Sequence, residues 1–67
     1  MSDEALKAAV DQFLTYVNRI AQRELERAVG KAITSGKLRT NEACATGVTL
    51  SIEKVGLDVT IYGTIKL

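Results

Sequence analysis

Gln22-Arg23-Glu24-Leu25-Glu26-Arg27-Ala28-Val29-Gly30-Lys31-Ala32-Ile33-Thr34-Ser35-Gly36 decides how this 67-residue chain is organised. Leu25, Ala28, Val29, Ala32 and Ile33 recur at spacings of three and four, which marks one apolar face of a helix. Thr34 and Ser35 lower helix propensity, and Gly36 suits the left-handed position just past a helix end. Gly30 costs about 1 kcal/mol relative to alanine inside a helix. It lies off the apolar stripe and reads as a tolerated surface glycine rather than as a point of close approach to another chain. The same run holds three of the chain's nine basic residues, Arg23, Arg27 and Lys31.

Upstream, Ser2 is a good N-cap, and Asp3 and Glu4 fall in the first turn, where negative charge favours the helix dipole. Leu6, Val10, Phe13, Leu14 and Val17 then recur at helical spacing. At about 100° per residue, the mean direction of the later apolar set is rotated by roughly 80–90° from this earlier one. Two readings compete. The helix breaks near Asn18, a residue that tolerates the left-handed conformation of helix ends, giving helices at about 3–17 and 20–35. Alternatively, Leu6, Val10, Leu14, Val17, Ala21, Leu25, Ala28 and Ala32 follow a spacing close to 3.67, which one continuous helix holds as a single stripe. No proline or glycine interrupts residues 3–29. The break is the favoured reading.

Downstream, residues 37–43 form a polar connector with one apolar anchor, Leu38. The period then changes to two. Val48, Leu50 and Ile52 alternate with Thr49, Ser51 and Glu53. Leu57, Val59, Ile61, Ile65 and Leu67 alternate with Asp58, Thr60, Tyr62, Thr64 and Lys66. Such alternation predicts strands with one apolar and one polar face. Gly56 is available for a positive φ between them, so an antiparallel hairpin is expected at about 45–53 and 57–66. Its register pairs Ile52 with Leu57, Leu50 with Val59, Val48 with Ile61, Thr46 with Gly63 and Cys44 with Ile65. Ala45 and Gly47 weaken the first strand. The last strand is therefore expected to run past Gly63 as an overhang, and a two-stranded sheet also leaves edges ready to pair.

The fold class expected is α+β in one small domain, 1–67. Its predicted core is Leu6, Val10, Phe13, Leu14, Val17, Leu25, Val29, Ile33, Val48, Leu50, Ile52, Leu57, Val59, Ile61 and Ile65. A chain this short buries only about 60% of its unfolded surface. Small folds compensate with disulfides, a metal or a partner subunit. Cys44 is the only cysteine and histidine is absent, so a disulfide within the chain and a thiolate or imidazole metal site are ruled out. A carboxylate-only site stays formally open, but no loop has Asp/Glu at EF-hand-like spacing. Self-association remains, and the sequence predicts a homodimer. Exchange of elements between protomers is open to it, with hinges at Asn18 or at 37–43.

Hydrophobic residues make up 46% and charged residues 25%, and the net charge is +1. That is a globular composition, without a polyelectrolyte signal. No apolar run approaches the roughly 20 residues of a membrane span. The acidic start, Met-Ser-Asp-Glu, lacks a signal-peptide pattern, and a lone cysteine suits a reducing compartment. A cytoplasmic protein without membrane attachment is expected.

Several short elements together resemble a family of short bacterial proteins of unknown function. They are Phe13-Leu14 to Val17, Gln22-Arg23-Glu24-Leu25-Glu26 with Ala28-Val29, Gly36-Lys37-Leu38 with Asn41-Glu42, and the closing Gly63-Thr64-Ile65-Lys66-Leu67. The resemblance covers nearly the whole chain. It implies a two-helix, two-strand fold and no activity. Where family members tend to carry glycine followed by Thr-Ser, this chain has Asn18 and Ile20-Ala21, which removes an N-cap for a second helix.

Arg19, Arg23, Arg27 and Lys31, each four residues after the last, form a slowly drifting row along one helical flank. Residues 19–39 hold six basic and two acidic residues, whereas the remainder holds three basic and six acidic. The row is a candidate partner-binding face, for an acidic protein, including a second copy, or for nucleic-acid phosphates. The plainer reading is a solvated helix face, with Glu24 beside Arg27 and Arg23 beside Glu26. Only Phe13, Tyr16 and Tyr62 are aromatic, and they do not interleave with the basic row, which weighs against nucleic acid. Tyr62, Gly63, Ile65 and Leu67 are the candidate dimer contacts. Cys44 reads as a small inward-facing apolar residue rather than as a sensing thiol, because only Arg39 lies near in sequence to activate it. Gln22 and Glu26 read as hydrogen-bond partners on the helix surface. Without histidine or a set of convergent carboxylates, no catalytic residues and no cofactor site are expected. The expected role is a non-enzymatic interaction module acting as a homodimer. Nucleic-acid or acidic-partner binding through the basic row is the runner-up.

Overall fold

The computed structural model describes residues 2–67. The chain divides into two compact units, one running through Lys37 and the other from Leu38 to Leu67.

The first unit is a single helix, α1, Asp3–Thr34. Ser2 caps it: its backbone is extended and its hydroxyl accepts a hydrogen bond from the Ala5 amide at 3.1 Å. Asp3 and Glu4 occupy the first turn and Lys31 the last, so charges of the favourable sign sit at both ends of the dipole. The other end closes on Gly36, whose φ is +81°. There the Gly36 amide donates to Ile33 O at 3.1 Å and the Lys37 amide to Ala32 O at 2.8 Å. Those two bonds satisfy carbonyls that the helix leaves without partners and define a Schellman ending.

The break expected near Asn18 does not occur. Asn18 lies in the middle of α1, and among the described residues positive φ is found only at Gly36 and Gly56. Energetics explain the correction. Asparagine in a helix interior costs at most about 0.7 kcal/mol relative to alanine. A break would instead leave four amides and four carbonyls without intrahelical partners. With Ile20-Ala21 following, only Asn18 could cap a new start, and an N-cap's extended backbone is incompatible with its also being the left-handed end of a first helix. The rotation between the two apolar sets is absorbed as gradual drift along one helix.

The second unit is the hairpin of β1, Ala43–Ile52, and β2, Leu57–Lys66, which pair antiparallel. Ile52 faces Leu57, Leu50 faces Val59, Val48 faces Ile61, Thr46 faces Gly63 and Cys44 faces Ile65, the register read from the alternation. Glu53–Val55 form one 3-10 turn between the strands, and Gly56 follows with φ +72°. Its amide returns to Glu53 O at 3.1 Å.

β1 starts two residues earlier than the alternation suggested, and this removes the expected overhang. Ala43 pairs with Lys66, and the Leu67 amide donates to Glu42 O at 3.2 Å. The inner edge of β2 is thus satisfied to its end. The outer edge of each strand has no partner strand among the described residues.

The predicted core is a further correction. Among the described residues none is buried. Val17, Val29, Ile33, Leu50 and Ile65 are half-buried, and the other ten residues of the predicted core are exposed. Taken by itself, a lone helix shelters its side chains only against its own turns, and a lone two-stranded sheet only along its own ladder. Periodicity identifies the apolar side of each element and says nothing of what covers it.

Candidate interaction surfaces

Three surfaces stand out, and each is built from one element. The first is the apolar stripe of α1. Leu6, Val10, Leu14 and Val17 supply its bulky first half, with Phe13 beside them. Ala21, Ala28 and Ala32 continue it with small residues, and Leu25 is the one large residue among them. Leu6 is 52% exposed and Phe13 57%. Open exposure of this many large apolar side chains in one line is uncommon on a monomeric soluble protein.

The second is the basic row. Arg19, Arg23, Arg27 and Lys31 are all exposed along α1. By helical geometry the row begins on the side opposite the stripe at Arg19 and drifts to its flank at Lys31. Arg27 donates to Glu24 Oε1 at 2.8 Å, the one ion pair among the described residues. Gln22 Nε2 donates to Glu26 Oε2 at 2.9 Å, as the sequence indicated. Glu26 is therefore engaged by Gln22 rather than by Arg23. Arg19, Arg23 and Lys31 form no ion pair among the described residues, so the row keeps much of its positive potential. Gly30 meets no neighbour that a Cβ would touch, consistent with a tolerated glycine.

The third is the hairpin. Val48, Leu50, Ile52, Leu57, Val59, Ile61 and Ile65 share one face with Cys44, which is a free, half-buried thiol. The other face is polar, and a hydrogen bond joins the Thr49 and Thr60 hydroxyls at 3.0 Å. Tyr62 lies on that polar face and is 81% exposed. Its ring lies over Gly47, directly opposite in the register. A Cβ placed on Gly47 would come 3.2 Å from both Cδ1 and Cε1 of the ring. Sequence reading singled out Tyr62 but missed this contact. The signal was present, since the register that faces Val48 with Ile61 also faces Gly47 with Tyr62. An aromatic opposite a strand glycine covers backbone that the glycine leaves bare. Gly63, Ile65 and Leu67 follow Tyr62 along the strand and are paired within the hairpin through their inner edge.

Among the described residues no three His, Cys, Asp or Glu side chains group as a metal site would require. No described helix is long and apolar enough to cross a membrane.

A family model described as "Family of unknown function (DUF6494)" matches residues 1–67, the full sequence. The chain belongs to that family. No curated protein and no solved structure matches it. For DUF6494, then, the architecture of this member is one long N-terminal helix and a C-terminal hairpin, and the family brings no activity with it. The departure at Asn18 and Ile20-Ala21 falls within the continuous part of α1.

Proposed function

We propose that this DUF6494 protein is a non-enzymatic self-association module whose working form is a homodimer. One observation carries the reading: among the described residues none is buried, although both the helix and the hairpin present a continuous apolar face. The folding of so small a chain depends on removing such faces from water, at about 25 cal/mol per Å². A second copy is the partner always present at matching concentration. Exchange of the hairpin between protomers fits the same reading, with the hinge in the connector, since Asn18 is inside α1. A reducing, cytoplasmic setting suits the lone thiol of Cys44.

Light scattering across a wide concentration range tests the reading. The expected mass is twice the 7.2 kDa of one chain. A single-chain mass at high concentration, together with sharp cooperative unfolding, rejects it.

The lack of ion pairing at Arg19, Arg23 and Lys31 among the described residues supports a second reading, in which the far side of α1 meets phosphates or an acidic partner. Binding to a nonspecific oligonucleotide at several salt concentrations tests it. Neutralising three phosphates predicts a slope of about −3 in log affinity against log salt. A flat response removes phosphate recognition and leaves self-association untouched.

A further inference from the structure

We infer that the occupant of the α1 stripe is the α1 stripe of a second copy, running antiparallel. The inference rests on the self-association reading and adds which element pairs and in which direction. Side-chain size carries it. The stripe steps by four, four and three residues from Leu6 through Val10, Leu14, Val17, Ala21, Leu25 and Ala28 to Ala32. It spans about 39 Å at 1.5 Å per residue. Placed antiparallel against itself and centred between Val17 and Ala21, it matches large residues with small ones. Leu6 meets Ala32, Val10 meets Ala28, and Val17 meets Ala21. Leu14 and Leu25 oppose each other across the remaining level.

This alternation of volumes lets two helices interdigitate at the closer end of the usual separation of about 8–10 Å. A parallel pairing instead sets Leu6 on Leu6 and Val10 on Val10 at one end. At the other it sets Ala28 on Ala28 and Ala32 on Ala32, so one end is held apart while the other is left underfilled. Charge selects the same direction. Residues 3–18 of α1 carry three acidic and one basic side chain, and residues 19–34 four basic and two acidic. Antiparallel helices lay the acidic half beside the basic half and also oppose their dipoles. The basic row lies mostly away from the contact, so this electrostatic preference is long-range and weakens with salt. The size match does not.

Directional crosslinking tests the pairing. In a Cys44→Ser background, Leu6→Cys chains are mixed with Ala32→Cys chains of distinguishable mass, and disulfides are formed under mild oxidation. A second mixture, Val10→Cys with Ala28→Cys, guards against loss of folding in the first, and helix content is checked for every variant. The mixed disulfide is expected to exceed either self-disulfide by more than tenfold in both mixtures. Predominant self-disulfides would establish parallel helices and overturn the inference. A dimeric mass by light scattering with no disulfide in either mixture would place the interface elsewhere, which overturns the inference but keeps self-association. A single-chain mass overturns both. An Ala28→Leu, Ala32→Leu variant adds a steric readout. Leucine is nearly as good a helix former as alanine, yet it is expected to weaken the dimer at least tenfold. Unchanged or tighter dimerisation would overturn the size-match argument.

Discussion

The hairpin and the helix were read from the same kind of evidence, an apolar period, and yielded differently. In the hairpin, every expected cross-strand pair from Ile52–Leu57 to Cys44–Ile65 is present. In the helix, the apolar pattern was read as two elements and is one. The cause is the tolerance of each period. A strand's side-chain period is two, and a slip of one residue sends every apolar side chain to the wrong face. A helical stripe tolerates a drift of about 20° per heptad, accumulating along its length. The same apparent rotation therefore signals either a break or a slow winding, and local energetics must decide.

Asn18→Pro is expected to have the largest effect. Inside a continuous helix, proline removes a hydrogen bond and clashes with the preceding turn, costing about 3 kcal/mol or more. If residue 18 lay at a junction between two helices, the substitution would be nearly silent. Helix content by circular dichroism and urea unfolding at one fixed protein concentration measure the loss. The fixed concentration matters because the self-association proposed above would tie apparent stability to it. The companion Asn18→Ala is expected to stabilise by a few tenths of a kcal/mol, up to about 0.7.

The next effects test the punctuation of both elements. Gly36 and Gly56 occupy left-handed conformations at φ +81° and +72°. A side chain there costs about 1–2 kcal/mol, so Gly36→Ala and Gly56→Ala are each expected to lose about that much in urea unfolding. Loss at only one site would show that one unit dominates the measured stability. Ser2→Ala is smaller. It removes the hydroxyl that caps the Ala5 amide and is expected to cost about 1 kcal/mol, whereas Ser2→Gly costs only a few tenths. Equal losses for the two variants would point away from the cap as the cause.

What was legible follows from how local each cause is. Ser2 as the N-cap, Gly36 and Gly56 as left-handed residues and the Gln22–Glu26 and Glu24–Arg27 pairs each depend on residues within four positions, and all were readable. The hairpin register was readable because the period of two propagates from a turn that Gly56 locates. The continuity of α1 was harder, because it is a balance between a small propensity cost at Asn18 and the larger cost of uncapped ends. The exposure of Leu6, Phe13, Val48 and Ile61 was not legible at all. Alternation and helical spacing report which side wants burial, and the occupant is a property of shape and partner.

Tyr62 gives the smallest effect and the finest test of the hairpin half. Its ring lies over Gly47 while remaining 81% exposed, so the contact is a cross-strand pair of modest strength. Tyr62→Ala is expected to cost about 0.2–1 kcal/mol. Gly47→Ala alone combines two opposed effects. Alanine gains about 0.5–1 kcal/mol over glycine in a strand, but its Cβ would crowd the ring at 3.2 Å. In a Tyr62→Ala background the crowding vanishes and the full gain appears. The double-mutant cycle should therefore show a coupling of about 0.5 kcal/mol, the lower end of that seen for residues in contact. Strict additivity would mean that the ring and the glycine do not share energy despite their closeness. Light scattering on Tyr62→Ala separates a second possibility. A loss of dimer mass larger than the loss of stability explains would assign the ring to the contact between copies, whereas an unchanged mass leaves it as cover for the bare backbone of Gly47.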